Sequence, residues 1–181
     1  MRTFMLILML SSWAFGYNYN NVLLNAQVSI FPRILLLDKA IEKKLVDGKI
    51  AFAIVYEDGD DDAAQDIAEK IDESYHGRFN GYEYVVNLVK FNDLSNETNA
   101  TAFYTLNSPN NIAKVSKIAQ EKGIVSFAYN TDNLKEGLLF SLMFEKSTVL
   151  YLNKESLLAN KIDFVDSLYQ IVTFMDQDSG Y

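Results

Sequence analysis

Apolar runs of strand length alternate along the chain with stretches of helical spacing. Residues 49–56, KIAFAIVY, are apolar almost throughout, which is typical of a strand covered on both faces. Beyond them, apolar residues recur with the period of a helix from residue 63 to residue 75. The stretch Ser108-Pro109-Asn110-Asn111 is predicted to cap a second amphipathic helix, which Gly123 is predicted to end. Three further segments read as strands: 82–91, 101–107 and 124–129.

A helix is also predicted near each end of this region. Residues 22–37 carry apolar residues at helical spacing, and Pro32 is expected to kink or restart that helix. Residues 137–153 read as a hairpin of two strands, and residues 164–174 as a final helix. The inward face of that final helix is predicted to consist of Phe164, Leu168, Ile171 and Val172.

This order of elements predicts an α/β fold. Alternating strands and helices favour a three-layer sandwich, in which a mixed β-sheet of about six strands has helices on both faces. The chain has 181 residues, of which 49% are hydrophobic and 22% charged, and only two prolines. That composition is typical of a single globular domain with an adequate core, which we assign to residues 17–181.

The first 16 residues have the pattern of a secretory signal peptide. Arg2 is followed by an apolar run over residues 4–10 and then by small residues at Ala14 and Gly16. A membrane anchor is the alternative, but the apolar run is too short to span a bilayer stably. We therefore predict a signal peptide at residues 1–16, cleaved after Gly16 on export.

Charge and cysteine content narrow the classes of partner. The formal net charge is −8, which argues against nucleic acid and anionic membranes, because those need clustered Lys and Arg. The protein has no cysteine, which excludes disulfides, thiolate metal sites and a cysteine nucleophile. We therefore predict that the protein does not bind nucleic acid. The short apolar run also predicts that it is not an integral membrane protein.

The acidic stretch EDGDDDAAQDIAE, residues 57–69, has two interpretations: a calcium site or a helix cap. Five of its acids occupy ligand positions of a twelve-residue calcium loop that starts at Asp58. Such a loop needs a glycine where Ala63 stands, and it follows a helix, whereas here a predicted strand precedes it. We expect these carboxylates to cap the following helix instead, and we predict no metal site.

No catalytic motif stands out. The lone histidine, His76, lies in a polar turn, and nucleotide-binding glycine motifs and the nucleophile elbow are missing from the sequence. A pair of carboxylates for glycoside hydrolysis stays open, because acids are plentiful, but no two of them are singled out. We predict a protein that is not an enzyme and has no cofactor.

Candidate binding residues follow the predicted strands. In open α/β sheets, ligands bind at the carboxyl ends of the strands. The candidate binding residues at these ends are Asp58, Asn107 and Asn130. Asn110 and Asn133 lie close to them in sequence. Amide side chains offer both donors and acceptors to a polar ligand, but they are equally the ordinary residues of turns and helix caps, and we favour that second interpretation.

The chain resembles the YfiR-like family of small secreted bacterial proteins. The stretch KIAFAIVYEDGDDDAAQDI is similar to the opening strand, turn and helix of that family. The stretch GLLFSLMFEKSTVLYLNKESLLANKIDFVDSLYQI is similar to its C-terminal signature, in which Gly137, Tyr151 and Asn153 occupy matching positions. An apolar helix directly after a signal peptide is also usual in the family.

The resemblance implies a periplasmic regulator. Such a protein binds the periplasmic part of an inner-membrane signalling protein, a diguanylate cyclase, and thereby controls cyclic di-GMP and biofilm growth. This chain departs from the type member in having no cysteines and in having Phe31-Pro32 inside its first helix. A sensor kinase or a transport component is an alternative partner, and self-association into a homodimer is a further expectation.

Two other functions are weighed against the regulator. A periplasmic small-solute-binding protein should be a monomer with a deep, polar-lined pocket at the strand ends. A protein-binding regulator should instead expose an apolar, aromatic patch. A hydrolase would need two facing carboxylates about 5–9.5 Å apart in a cleft.

Overall fold

One mixed sheet of eight strands, flanked by helices, makes up the described part of the chain. A computed structural model describes residues 17–144 and 146–175, so the predicted signal peptide lies outside the described residues. The helices are α1 (Asn21–Leu35), α2 (Asp61–Tyr75), α3 (Ile112–Lys122), α4 (Lys154–Asn160) and α5 (Asp166–Tyr169). The strands are β1 (Ile50–Tyr56), β2 (Arg78–Phe79), β3 (Tyr82–Lys90), β4 (Ala102–Thr105), β5 (Val125–Ala128), β6 (Phe140–Phe144), β7 (Thr148–Asn153) and β8 (Val172–Met175).

The strand order reverses at β1, so the carboxyl ends of β1 and β4 are neighbours. The order across the sheet is β2-β3-β1-β4-β5-β6-β7-β8. Strands β3, β1, β4, β5 and β6 are parallel, whereas β7 is antiparallel to β6 and parallel to β8. After β1 the chain adds β3 on one side and then β4 on the other. The carboxyl ends of β1 and β4 therefore flank a topological switch point, where open α/β sheets bind ligands.

The apolar run of β1 is buried on both faces, as its sequence predicts. All seven of its residues are buried. Phe52 and Ile54 belong to the core half that contains α1 and α2, while Ala53 and Val55 belong to the half that contains α3. The predicted α/β sandwich with helices on both faces is confirmed, with eight strands where about six were expected.

The predicted final helix over residues 164–174 is wrong. Phe164 and Leu168 are buried as expected, but α5 is a single short turn, and Val172–Met175 forms strand β8 beside β7. Ile171, which was expected to face inward, is 63% exposed. The run Ile-Val-Thr-Phe has a strong strand propensity, and pairing with β7 overrides the helical spacing of its apolar residues.

Two other details refine the predicted elements. Helix α1 is continuous through Pro32 and ends only three residues later, at Leu35. The short strand β2 was missed, because a segment of two residues carries no periodic signal. None of the helices within residues 17–144 and 146–175 is long and apolar enough to cross a bilayer.

The positions that carry the family resemblance hold turns and strand ends. Gly137 ends a 3-10 helix, Thr131–Glu136, with a φ of 97°. The side chain of Asn153, which is 2% exposed, donates to the Leu134 carbonyl at 2.6 Å and accepts from the Ser156 N–H at 2.9 Å. Tyr151 is half-buried in β7 and packs against the α3 side of the core.

Replacing Gly137 by alanine is expected to lower the free energy of unfolding by about 1–3 kcal/mol. A Cβ at this position would lie 2.3 Å from the Ser116 hydroxyl oxygen, and the positive φ disfavours any side chain. Chemical denaturation measures the loss. The double variant Gly137→Ala with Ser116→Ala is expected to regain part of it, since the hydroxyl contact is gone. Equal stability of Gly137→Ala and the parent would contradict the account.

Candidate functional site

The crevice at the switch point is filled by the chain's own residues. The segment Tyr17–Asn20, just before α1, lies across the carboxyl ends of β1 and β4. The Tyr19 hydroxyl donates to Asp60 at 2.5 Å, and the Asn20 N–H donates to the Tyr129 hydroxyl at 2.8 Å. The rings of Tyr19 and Tyr129 meet edge to face with centroids 4.8 Å apart. We name Tyr17–Asn20 the plug segment, because it takes the place in which a solute would lie.

A buried hydrogen-bond chain fixes α1 beside this crevice. The Gln27 side chain is fully buried, and its amide N–H donates to the Tyr129 carbonyl at 2.8 Å. Its carbonyl oxygen accepts from the Tyr104 hydroxyl at 2.5 Å. Burial raises the pKa of Tyr104 well above its ordinary value, so this hydroxyl keeps its proton. Helix α1, which directly follows the plug segment, is thus joined to the sheet by paired polar groups in the interior.

Tyr19 is held as a neutral hydrogen-bond donor. Burial is the largest cause that raises the pKa of its hydroxyl, followed by the hydrogen bond to Asp60 and the negative charge of Asp60. A backbone hydrogen bond from Asn107 acts in the opposite direction and is outweighed. The hydroxyl therefore stays protonated over the whole physiological range and donates to Asp60.

Glu57 joins the loops after β1 and β4. Its carboxylate accepts from the Ser108 hydroxyl and, at 2.8 Å, from the Asn111 side-chain amide. The Ser108 oxygen also accepts from the Asn111 N–H at 2.9 Å and so closes a turn before α3, whose N-cap residue Asn111 makes no side-chain capping bond. Glu57 was not among the predicted site residues, although its place directly after β1 was the available signal.

The three predicted binding residues follow neighbouring strands but have different surroundings. Asp58 follows β1 and accepts from the Lys90 ammonium at 2.7 Å. Asn107 follows β4, and its backbone bonds the Tyr19 hydroxyl. Asn130 follows β5, and its side chain accepts from the Asp132 N–H at 3.1 Å. Asn130 thus caps a 3-10 helix, whereas the polar contacts at the crevice come from Glu57, Asp60 and the plug segment.

In the acidic stretch, Asp58, Asp60 and Asp61 contact Lys90 and the plug segment, whereas Asp66 and Glu69 bond side chains of α2 itself. Asp58 and Asp61 both pair with Lys90, at 2.7 Å and 3.2 Å. These hydrogen bonds raise the pKa of Lys90 and lower that of Asp61. The expected capping fails at Asp60, whose side chain accepts no N–H of α2. Within the described residues, no group of three or more His, Asp or Glu side chains is placed to hold a metal ion.

Two open grooves border the β6–β7 hairpin, on the side of the sheet that ends in β8. One groove of about 440 Å³ is mostly apolar and lies between α1 and the hairpin. A second, of about 350 Å³, opens beside the plug segment at the ends of β5 and β6. The apolar groove is lined chiefly by Ile30, Ile34, Leu37, Leu142, Leu150 and Ile171.

Large apolar side chains are exposed at the same end. Phe144 is 42%, Ile171 63% and Phe174 44% exposed. In the described part of the chain, β8 pairs only with β7, so its outer edge presents backbone groups to solvent. We name β8 together with Ile171 the β8 edge surface. An exposed, apolar edge strand is a ready template for pairing with another chain.

Comparison with known proteins shows the fold alone. No family model matches the sequence, and no curated protein matches it. Among solved structures, a conserved domain protein from Vibrio cholerae O1 biovar El Tor is similar, with a TM-score of 0.56 at 14% identity over 83% of this chain. A ligand-free, open substrate-binding protein with adhesive properties from Clostridium difficile has a TM-score of 0.52 at 15% identity over 76% of this chain.

These two structures are longer than this protein. The matched region covers 59% of the Vibrio cholerae chain and 58% of the Clostridium difficile chain. A domain of Streptococcus pneumoniae in complex with L-Trp is also similar, with a TM-score of 0.48 at 12% identity, and 78% of this chain and 60% of that chain are covered. The feature shared with the Vibrio cholerae and Clostridium difficile structures is the arrangement of strands and helices.

Proposed function

We propose that this protein is an exported, non-enzymatic regulator that binds another protein through the β8 edge surface. The observation that carries the proposal is the exposed edge of β8, flanked by Ile171 and Phe174. The plug segment argues against solute binding at the switch point, because the chain itself occupies that crevice.

The chemistry of this surface favours an extended segment of a partner. A strand that adds to an open sheet edge gains main-chain hydrogen bonds, and alternate side chains enter neighbouring grooves. The apolar groove between α1 and the hairpin is next to this edge and shares Ile171 with it. The partner should therefore present a strand with apolar side chains. A basic surface around that strand would complement the net charge of −8.

The proposed partner is the periplasmic domain of an inner-membrane signalling protein. This finer step rests on the resemblance to the YfiR-like family, in which a diguanylate cyclase is the partner. Export through the predicted signal peptide would bring the protein into the compartment of that domain. Binding would hold the signalling protein in one activity state, and release would change the level of cyclic di-GMP in the cell.

Aspartate at both Ile171 and Phe174 is expected to reduce capture of the partner at least about tenfold. Two buried charges in an apolar interface are costly, whereas in the free protein Ile171 is 63% and Phe174 44% exposed. Residues 17–181 serve as bait on an envelope extract, and the captured protein is quantified by mass spectrometry. The matched control is Leu158→Asp, since Leu158 lies on α4 and is 71% exposed.

The proposal requires one inner-membrane signalling protein to be captured by the parent and by Leu158→Asp, but not by the double variant. Equal capture by all three baits would mean that the β8 edge surface is not the binding surface. Capture of no such protein would remove the regulator proposal and leave self-association or solute binding as the functions to test.

Solute binding is the second candidate, supported by a different observation. The groove of about 350 Å³ at the ends of β5 and β6 has the size of a small-ligand site, and Asn20, Asn130 and Thr131 supply polar groups. The fold is also similar to that of a substrate-binding protein. A periplasmic small-molecule pool that raises the melting temperature of the parent, but not of Asn130→Ala, would favour this function.

A further inference from the structure

The carboxylate of Asp60 is buried without a cationic partner. Asp60 is only 2% exposed and stands at the start of α2. The groups that bond its carboxylate are neutral: the Tyr17 backbone N–H at 2.8 Å and the Tyr19 hydroxyl at 2.5 Å. Among the described residues, no Lys, Arg or His forms an ion pair with it.

The charge balance at this site is incomplete. Burying a carboxylate is costly unless a cation pairs with it. Asp60 occupies the N-cap position of the 15-residue helix α2, whose dipole supplies the equivalent of roughly half a positive charge. The side chain nevertheless accepts no N–H of that helix and is bonded by the Tyr17 nitrogen instead. One more positive charge at the Tyr17 nitrogen would complete the balance.

We propose that proteolytic processing between Gly16 and Tyr17 supplies this charge. Hydrolysis breaks the amide C–N bond: the oxygen of water joins the Gly16 carbonyl carbon to give a carboxylate, and both hydrogens of that water go to the Tyr17 nitrogen. The product is an α-ammonium group on Tyr17, at the atom that already lies 2.8 Å from Asp60. The mature fold then contains an ion pair between its own new N-terminus and the buried carboxylate of Asp60.

This ion pair would couple processing to closure of the crevice. The plug segment runs from Tyr17 to Asn20, and its far end is fixed by the bond from Asn20 to Tyr129. A charged first residue fixes its near end at Asp60. The precursor, whose Tyr17 nitrogen is an uncharged amide, holds the plug less firmly. This coupling does not depend on what the protein binds.

The test compares two chains that differ only in their first residues. One begins at Tyr17 and the other at Phe15, so that its Tyr17 nitrogen is still an amide. Each is made with Asp60 and with Asp60→Asn, and the melting temperature is measured by circular dichroism. With Asp60, the chain that begins at Tyr17 is expected to melt roughly 4–10 °C higher than the longer chain. In the pair that carries Asp60→Asn, that difference should disappear.

A second measurement covers the case in which Asp60→Asn does not fold. An amine-reactive reagent is applied near neutral pH to the Asp60 chain that begins at Tyr17, folded and denatured. The ion pair should slow modification of the α-amino group on the order of tenfold in the folded chain, because only the deprotonated amine reacts. Equal melting temperatures of the two Asp60 chains, or equal rates in the folded and denatured chain, would overturn the inference.

Discussion

Replacing Phe31 by alanine is expected to lower the free energy of unfolding by about 3–5 kcal/mol, with a fall of roughly 6–20 °C in melting temperature. Phe31 is fully buried and joins α1 to the centre of the sheet. Its ring stacks on Phe127 with centroids 4.5 Å apart and meets Tyr104 edge to face at 5.3 Å. Truncation removes both contacts and leaves a cavity between two layers that are held apart by their other side chains.

Val22→Ala is the matched control for this prediction. Val22 lies on the same helix but is 67% exposed, so its truncation should change stability by no more than about 0.5 kcal/mol. Denaturant titration followed by circular dichroism measures both variants. Similar losses for Phe31→Ala and Val22→Ala would mean that α1 does not pack against the sheet as described.

Replacing Gln27 by leucine is expected to cost about 2–4 kcal/mol of unfolding free energy. The substitution keeps an apolar stem but leaves the Tyr104 hydroxyl and the Tyr129 carbonyl unpaired in the interior. An unsatisfied buried polar group costs more than an ordinary hydrogen bond contributes, so this effect exceeds that of a surface change.

A double-mutant cycle isolates the cause of that loss. Tyr104→Phe removes the hydroxyl that Gln27→Leu would leave unpaired, so the double variant should be at least about 1 kcal/mol more stable than the sum of the two single losses predicts. Chemical denaturation of the four proteins measures the coupling. Simple additivity would show that the Gln27–Tyr104 hydrogen bond does not form.

The central strands could be predicted from sequence because their burial leaves a direct pattern. Strand β1 is covered on both faces and therefore reads as an unbroken apolar run. Helix α3 is equally plain, since apolar residues mark one face and Gly123 ends it with a φ of 62°. Where the buried faces of an element are visible in its own pattern of apolar residues, the local sequence is enough to predict that element.

The errors lie where pairing between distant segments decides the structure. Residues 164–174 have helical spacing, but β7 offers an open edge, and Val172–Met175 pairs with it as β8. The prediction that the Asp60 side chain caps α2 was also wrong. Its carboxylate is bonded by Tyr17 and Tyr19, which are 43 and 41 residues away in sequence, and no local pattern records that contact.

The candidate binding residues Asp58, Asn107 and Asn130 stay a prediction, and most polar contacts at these strand ends come from other residues. The residues after β1, β4 and β5 follow neighbouring parallel strands and therefore lie at the same edge of the sheet. What fills the crevice is Tyr17–Asn20, a segment without periodicity at the edge of the predicted signal peptide. Its contacts come from tertiary structure, which the pattern of polar and apolar residues does not contain.

The most direct measurement for the proposed function is site-specific photo-cross-linking in intact cells. A photoreactive phenylalanine analogue replaces Phe174 on the β8 edge surface and, as the control, Leu158 on α4. Position 174 is expected to be cross-linked to one inner-membrane signalling protein, and position 158 is not. The same adducts at both positions, or adducts at neither, would contradict a docking role for the β8 edge surface.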